Sequence, residues 1–302
     1  MTSSPASTAS SADTLDPENG NSEIKQLGKT ERNYLRLLKE VIIDIDNAAR
    51  FQLTPYPKER SYFLKRFAVN ALINTLAKKG LMITGIDRRG IAARENGLGW
   101  PLNGYSMIGM KRMNNIQHCI ETALADGIEG DFIETGVWRG GACIFAKALF
   151  EIYGADRKVW VADSFQGLPE PDTEHYPEDA GDDLYTIEQL RVSEEDVRDN
   201  FRRFDLLDDN VVFLKGWFKD TLPDAPVEKL AVVRLDGDMY ESTMDGLVHL
   251  YPKLSPGGFL IVDDYGVIPA CRKAVHDYRV KHGITEDIID IDGSGHFWRK
   301  RF

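Results

Sequence analysis

The chain has 302 residues, 42% hydrophobic, 10% aromatic and 28% charged, a composition that excludes a fibrous or wholly disordered chain and allows one large domain or one domain with an appendage. A net charge of −11, with the acids spread along the sequence, argues against a nucleic-acid partner, which needs a clustered basic surface. The three cysteines, Cys119, Cys143 and Cys271, lack zinc or disulfide spacing, and nowhere do about 18 apolar residues run together, so a cytoplasmic protein without a membrane partner is expected.

The first 25 residues are rich in Ser, Thr, Ala, Asp and Pro and have almost nothing to bury, which predicts a disordered tail. From Thr30, a candidate cap, Leu35, Leu38, Ile42 and Ile45 recur at spacings of three and four, the stripe of an amphipathic helix. A second helix is expected over Tyr62–Lys79. The stretch Gly80–Gly109, with many Gly, Arg and Asn residues and weak periodicity, reads as a substrate-covering loop or a plain linker. These pieces make residues 26–109 an N-terminal helical or lid region ahead of a domain at 110–302.

After a helix near Met110–Asp126, short apolar runs alternate with helix-length segments. Candidate strands are Asp131–Thr135, Lys158–Ala162, Val211–Leu214, Leu230–Leu235, Phe259–Val262, Ile288–Ile291 and Phe297–Lys300. That alternation predicts an α/β fold: seven strands in a mainly parallel sheet with helices on both faces, the last two forming an antiparallel pair at one edge.

In such a sheet ligands bind outside the carboxyl ends of the strands, where strand order reverses. The first strand runs into Glu134-Thr135-Gly136-Val137-Trp138-Arg139-Gly140-Gly141, whose glycines allow a sharp turn close to a ligand. This turn is not the G-x-G-x-x-G of a dinucleotide site. An acid beside it suits the ammonium and sulfonium of S-adenosylmethionine. The second strand ends at Asp163-Ser164, where a carboxylate accepts from both ribose hydroxyls or caps a helix. Gly216-Trp217 after the next strand offers a ring for the adenine, or a core Trp.

More specific are two acidic clusters at the ends of later strands, Asp236-Gly237-Asp238 and Asp263-Asp264. Four carboxylates at one sheet edge repel one another unless a cation is bound, and a hard divalent ion such as Mg²⁺ takes oxygen ligands from converging loops. Coordination lowers the pKa of a hydroxyl while a neighbouring carboxylate removes its proton. The acids of Glu170–Asp183 read as a solvated or substrate-ordered loop, and His276, His282 and His296 lack ligand spacing.

Together the blocks Met107-Ile108-Gly109, Asp131–Gly141, Val161–Pro169, Gly216–Pro223, Arg234–Thr243 and Leu250–Gly266 resemble the macrocin O-methyltransferase (TylF) family, over essentially Thr30 to Trp298. The resemblance implies a class I, Rossmann-like methyltransferase fold with an N-terminal helical extension, S-adenosylmethionine and Mg²⁺ as cofactors, and a homo-oligomer. It implies methylation of a hydroxyl on a small molecule, a sugar of a glycosylated natural product; a phenolic, catechol-type acceptor is the alternative. Carried over by position, Asp236, Asp263 and Asp264 match metal ligands. Asp238 matches the general base, a role Asp236 shares if the two titrate together. Glu134, Gly136 and Asp163, with Ser164, match cofactor-contacting positions, and Thr135, Gly216 and Trp217 are expected beside them.

Overall fold

A computed structural model describes residues 24–47, 52–53, 75 and 90–301. Nearly all of the tail at 1–25, the helix expected over Tyr62–Lys79 apart from residue 75, and the start of the Gly80–Gly109 stretch lie outside the described residues.

The expected seven-stranded sheet is present. Its strands are β3 (Asp131–Thr135), β4 (Val159–Asp163), β5 (Val211–Lys215), β6 (Leu230–Leu235), β7 (Leu254–Val262), β8 (Ile289–Asp290) and β9 (His296–Arg299). They lie in the order β5-β4-β3-β6-β7-β9-β8. The five from β5 to β7 run parallel, while β9 lies antiparallel to β7 and β8 antiparallel to β9. The edge pair is therefore as its short connection predicted.

Side-chain alternation sorts the apolar residues of each strand between two cores. Phe132, Val159, Val161, Val232 and Ile261 join one cluster with the helices Met110–Ala125, Gly141–Tyr153 and Glu194–Arg203. Ile133, Trp160, Val233, Leu260 and Val262 join the other with Tyr240–Leu250 and Pro269–His282. Helix Gly141–Tyr153 is buried along most of its length, which explains a sequence apolar on nearly every side, and it stops at Gly154 in the left-handed conformation.

The first helix spans Lys29–Ile42, and its cap corrects the expectation at Thr30. Gly28 is the capping residue: Glu31 reaches back to accept from its N–H at 2.7 Å, which leaves Thr30 inside the first turn. Leu35, Leu38 and Ile42 enter the same apolar cluster as Phe132 and Phe145.

The described part of Gly80–Gly109 holds a short helix, Gly90–Glu95, and a two-residue strand β2 (Trp100–Pro101), paired antiparallel with β1 (Gln52–Leu53). The buried Arg94 donates to the carbonyls of Gly99, Met107 and Ile108. One guanidinium gathering carbonyls shapes this segment, so apolar spacing gave little sign of its form.

Candidate active site

Strand order reverses between β3 and β6. The two strands meet tightly there: Asp236 N donates to Thr135 O at 2.9 Å, and a Cβ at Gly136 would stand 1.8 Å from the carbonyl oxygen of Asp236. With φ at +80°, Gly136 occupies a position that only glycine fills without strain and collision. Above this junction opens a cleft that, with the open solvent at its mouth, holds about 840 Å³ of empty space. Of the residues picked out from sequence, Gly136, Asp163, Ser164, Trp217, Asp236 and Asp238 line it. Met107, Trp138, Leu168, Leu190 and Phe218 supply apolar wall.

The carboxylate of Asp163 ties the two first turns together. One oxygen accepts from Val137 N at 2.8 Å and the other from Phe165 N at 2.7 Å. Burial raises its pKa, and these backbone donors pull against that. Both oxygens are thus already engaged, which leaves fewer lone pairs for a diol than a free carboxylate has.

Glu134 and Thr135 are buried under the cleft and do not line it, and neither does Gly216, whose N–H donates to Asp163 O at 2.9 Å. Glu134 accepts from Arg234, and from Cys143 Sγ at 2.9 Å. Burial pushes its carboxyl up to about 7 against the pull of Arg234.

Three of the four later acids, Asp236, Asp263 and Asp264, bring their carboxylates together. One carboxylate oxygen from each of Asp236, Asp263 and Asp264 lies within 4.8 Å of the others, and Asp238 N donates to Asp264 at 3.2 Å. Asp238 is held at φ +58°, a left-handed conformation that Asp tolerates better than most residues. The chemistry of this donor set fits a hard divalent ion: the three groups are all oxygen donors from two strand ends.

Two arginines that sequence reasoning assigned no role sit inside the cluster. Arg234, 1% exposed, donates to Glu134, to Asp236 at 2.8 Å and to Asp263. Arg112 donates to the other oxygen of Asp263 and to Asp292 at 2.9 Å. The repulsion expected among the aspartates is therefore partly neutralised within the protein itself. The compensation is incomplete, because the two guanidiniums bond four carboxylates (Glu134, Asp236, Asp263 and Asp292) and the acids of Asp238 and Asp264 add to the same cluster. Asp236, Asp238 and Asp264 are all held above the ordinary carboxylate range, first by burial and then by their acidic neighbours. The one sign of Arg234 in the sequence was a lone cation inside the apolar run LAVVRL.

Among the other candidates, the acidic stretch Glu170–Asp183 is fixed by one of its own members. Buried Asp179 accepts from Tyr240 N at 2.6 Å and Glu241 N at 3.1 Å, capping helix Tyr240–Leu250 from far along the chain. His276 Nε2 pairs with Tyr265 OH at 2.9 Å. All three cysteines are free and buried. Among the described residues no helix is long and apolar enough to cross a membrane.

Comparison with known proteins adds three kinds of likeness. A family model described as macrocin-O-methyltransferase (TylF) matches residues 31–300. Mycinamicin III 3''-O-methyltransferase of Micromonospora griseorubida is 57% identical over 212 residues, 69% of this chain and 83% of the relative. An O-methyltransferase of Streptomyces olivaceus acting at the 4' position of 8-demethyl-8-(2,3-dimethoxy-alpha-L-rhamnosyl)-tetracenomycin C is 56% identical over 205 residues, 67% of this chain and 78% of its own. Demethyldecarbamoylnovobiocin O-methyltransferase of Streptomyces niveus is 51% identical over 212 residues, 68% of this chain and 80% of its own. The solved structure of the O-methyltransferase NovP superposes with a TM-score of 0.74 at 41% identity, covering 90% of this chain and 100% of that one. The calicheamicin methyltransferase CalS11 shares the fold at a TM-score of 0.52 and 17% identity, over 95% of this chain and 99% of its own.

Proposed function

This chain belongs to the macrocin O-methyltransferase family and is an O-methyltransferase, and from that premise we propose that it uses S-adenosylmethionine and Mg²⁺ to methylate a sugar hydroxyl of a glycosylated natural product. The observation that carries the reading is the carboxyl edge of β3, β6 and β7, where a glycine turn and three converging carboxylates come together and Gly136 and Asp236 line one cleft. The sugar acceptor is supported by the relatives, which act on mycinamicin III, a rhamnosyl tetracenomycin C and demethyldecarbamoylnovobiocin.

S-adenosylmethionine supplies a methyl group on a sulfonium that is already an activated leaving group. Gly136 would let the backbone approach it closely, Asp163 and Ser164 would bind it at the end of β4, and Trp217 would offer a ring for stacking. Glu134 and Thr135 act from beneath, with Glu134 anchoring Arg234. Gly216, at φ +143°, turns the chain so that Trp217 reaches the cleft wall.

Mg²⁺, when bound, lowers the pKa of the acceptor hydroxyl and supplies Lewis acidity. Asp236, Asp263 and Asp264 would hold it. Asp238 receives the hydroxyl proton, and burial suits it to that task by raising its proton affinity. Asp236 shares the role to the extent that the two titrate as a pair. The apolar wall of Met107, Leu168 and Leu190 excludes water and holds the acceptor, and positioning supplies much of the acceleration.

Three unpaired buried thiols are consistent with the cytoplasm. Exposed Tyr34, Leu37 and Val41, at helical spacing on Lys29–Ile42, favour a homo-oligomer, which sedimentation equilibrium would measure.

Methyl transfer should stop in excess chelator and return on adding Mg²⁺, and Asp236→Asn or Asp263→Asn should lower kcat by about a hundredfold or more while far-UV circular dichroism stays unchanged. Full turnover in chelator rejects the metal role. Mass spectrometry of products from paired glycosylated and phenolic acceptors identifies the substrate class, and methylation of the phenols alone would overturn the sugar reading.

A further inference from the structure

Both arginines of the acidic cluster act on its carboxylates oxygen by oxygen. Arg234 Nη1 donates to Asp236 Oδ2 at 2.8 Å, and its Nη2 donates to Asp263 Oδ1. Arg112 Nη1 donates to the remaining oxygen of Asp263, Oδ2. On Asp264, Oδ2 accepts from Asp238 N at 3.2 Å. Among the described residues, the oxygens of these three side chains that no protein donor holds are therefore Oδ1 of Asp236 and Oδ1 of Asp264.

Neither guanidinium has room to swing away. Arg234 is buried, and its Nη1 is also held by Glu134, whose other oxygen accepts from Cys143 Sγ at 2.9 Å. Arg112 is anchored through Nε to the buried carboxylate of Asp292 at 2.9 Å. A Cβ on Gly97 would collide with Arg112 Nη2, and one on Gly295 would stand 2.7 Å from its Cδ, so backbone closes on the side chain at both places. A planar guanidinium held this firmly fixes the orientation of each carboxylate that it meets.

We propose that Arg112 and Arg234 are positioning residues that restrict Asp236, Asp263 and Asp264 to one-oxygen contacts, so that the site selects a small six-coordinate cation over Ca²⁺. The proposal rests on reading this cluster as a divalent-metal site. A carboxylate that chelates through both oxygens must turn both toward the ion, and here at least one oxygen of each is held by an N–H. Ca²⁺ takes about six to eight oxygens at roughly 2.3–2.6 Å and gains from such chelation, whereas Mg²⁺ takes about six at roughly 2.0–2.1 Å and keeps several waters. Held carboxylates therefore suit Mg²⁺ and deprive Ca²⁺ of ligands. Charge does not make this choice, because the two ions carry the same charge and the arginines repel them alike. What separates them is the number of oxygens each carboxylate can present, which the hydrogen bonds control.

The test titrates the full chain with Mn²⁺, read by electron paramagnetic resonance of the free ion, and then displaces it with Mg²⁺ or Ca²⁺ to give a Kd for each. Wild type should bind Mg²⁺ about tenfold or more tighter than Ca²⁺. Arg112→Met releases Asp263 Oδ2 and removes a positive charge, so both ions should bind more tightly, with Ca²⁺ gaining about tenfold more than Mg²⁺. Arg112→Lys keeps the charge but lacks the fork that spans Asp263 and Asp292, so Ca²⁺ should gain about threefold while the Kd of Mg²⁺ stays nearly constant.

A residue that only stabilised the fold, or only added charge, would move both affinities by the same factor, so the ratio of the two Kd values is the deciding quantity. An unchanged ratio in Arg112→Met overturns the proposal. So does a wild type that binds Ca²⁺ as tightly as Mg²⁺. Failure of the wild type to bind any of the three ions rejects the metal reading beneath it and shows in the resonance spectra of the wild type alone. Should Arg112→Met not fold, as circular dichroism would report, the ratio in Arg112→Lys decides in the same way.

Discussion

Arg234 holds three carboxylates on one guanidinium in the middle of the sheet, with its Nε left without a partner. A buried ion pair adds little relative to a well-packed apolar substitute, yet removing one member leaves uncompensated charge in a low-dielectric interior. Arg234→Met should therefore cost about 3–5 kcal/mol in urea denaturation. Part of that loss should return on adding Mg²⁺, because an ion bound by the native state alone stabilises it. The four aspartates were legible in the sequence because each ends an apolar strand, a position that follows from topology. Their arginine partners were not. A strand's period places Arg234 but does not tell whether its long side chain meets solvent or acid, and Arg112 comes from a helix whose spacing reveals only which face is buried. The same blind spot hid the carboxylate of Glu134, which sequence position put beside the cofactor and which Arg234 holds beneath the cleft.

At the scale of elements, six of the seven strands were legible to within one residue at each end, since a short apolar run between turn signals has few other readings, while β7 begins at Leu254, ahead of the expected Phe259, because Ser255-Pro256-Gly257-Gly258 reads as a turn. Helix ends were harder, because the group that satisfies a free N–H need not be local. Helix Tyr240–Leu250 has Met239 at its capping position and no capping side chain of its own, and Asp179 supplies what is missing. That contact also secures the acidic stretch next to Asp182, which faces Asp238 electrostatically. Asp179→Ala should therefore cost roughly 1 kcal/mol of stability by thermal unfolding. It should also raise the acceptor KM more than it lowers kcat, since Asp179 holds the start of the helix whose Glu241 and Ser242 line the cleft. An unchanged KM would show that the acidic stretch holds its place without this cap.

For the molecule as a whole, the order of strands and helices predicted the sheet, its parallel direction and its antiparallel edge. How the N-terminal helix joins that sheet was beyond reach of the sequence, for an apolar stripe says that a helix is covered but not by what. Leu35, Leu38 and Ile42 pack into the cluster that contains β3 and helix Gly141–Tyr153. One shared core predicts one cooperative transition, with Leu38→Ala costing about 2–5 kcal/mol. Circular dichroism and tryptophan fluorescence should report coincident midpoints in that variant, and separate midpoints would show that the helix unfolds by itself.

The contact between Gly136 and the Asp236 carbonyl has a consequence for descent. Paired strands stand at a fixed spacing of about 4.8 Å, so the gap between the two halves of the reaction centre is written into the hydrogen-bond ladder and not into the loops above it. A lineage with this architecture is free to exchange its outer segments, and with them the guest that is admitted, while the reaction geometry passes unchanged from ancestor to offspring.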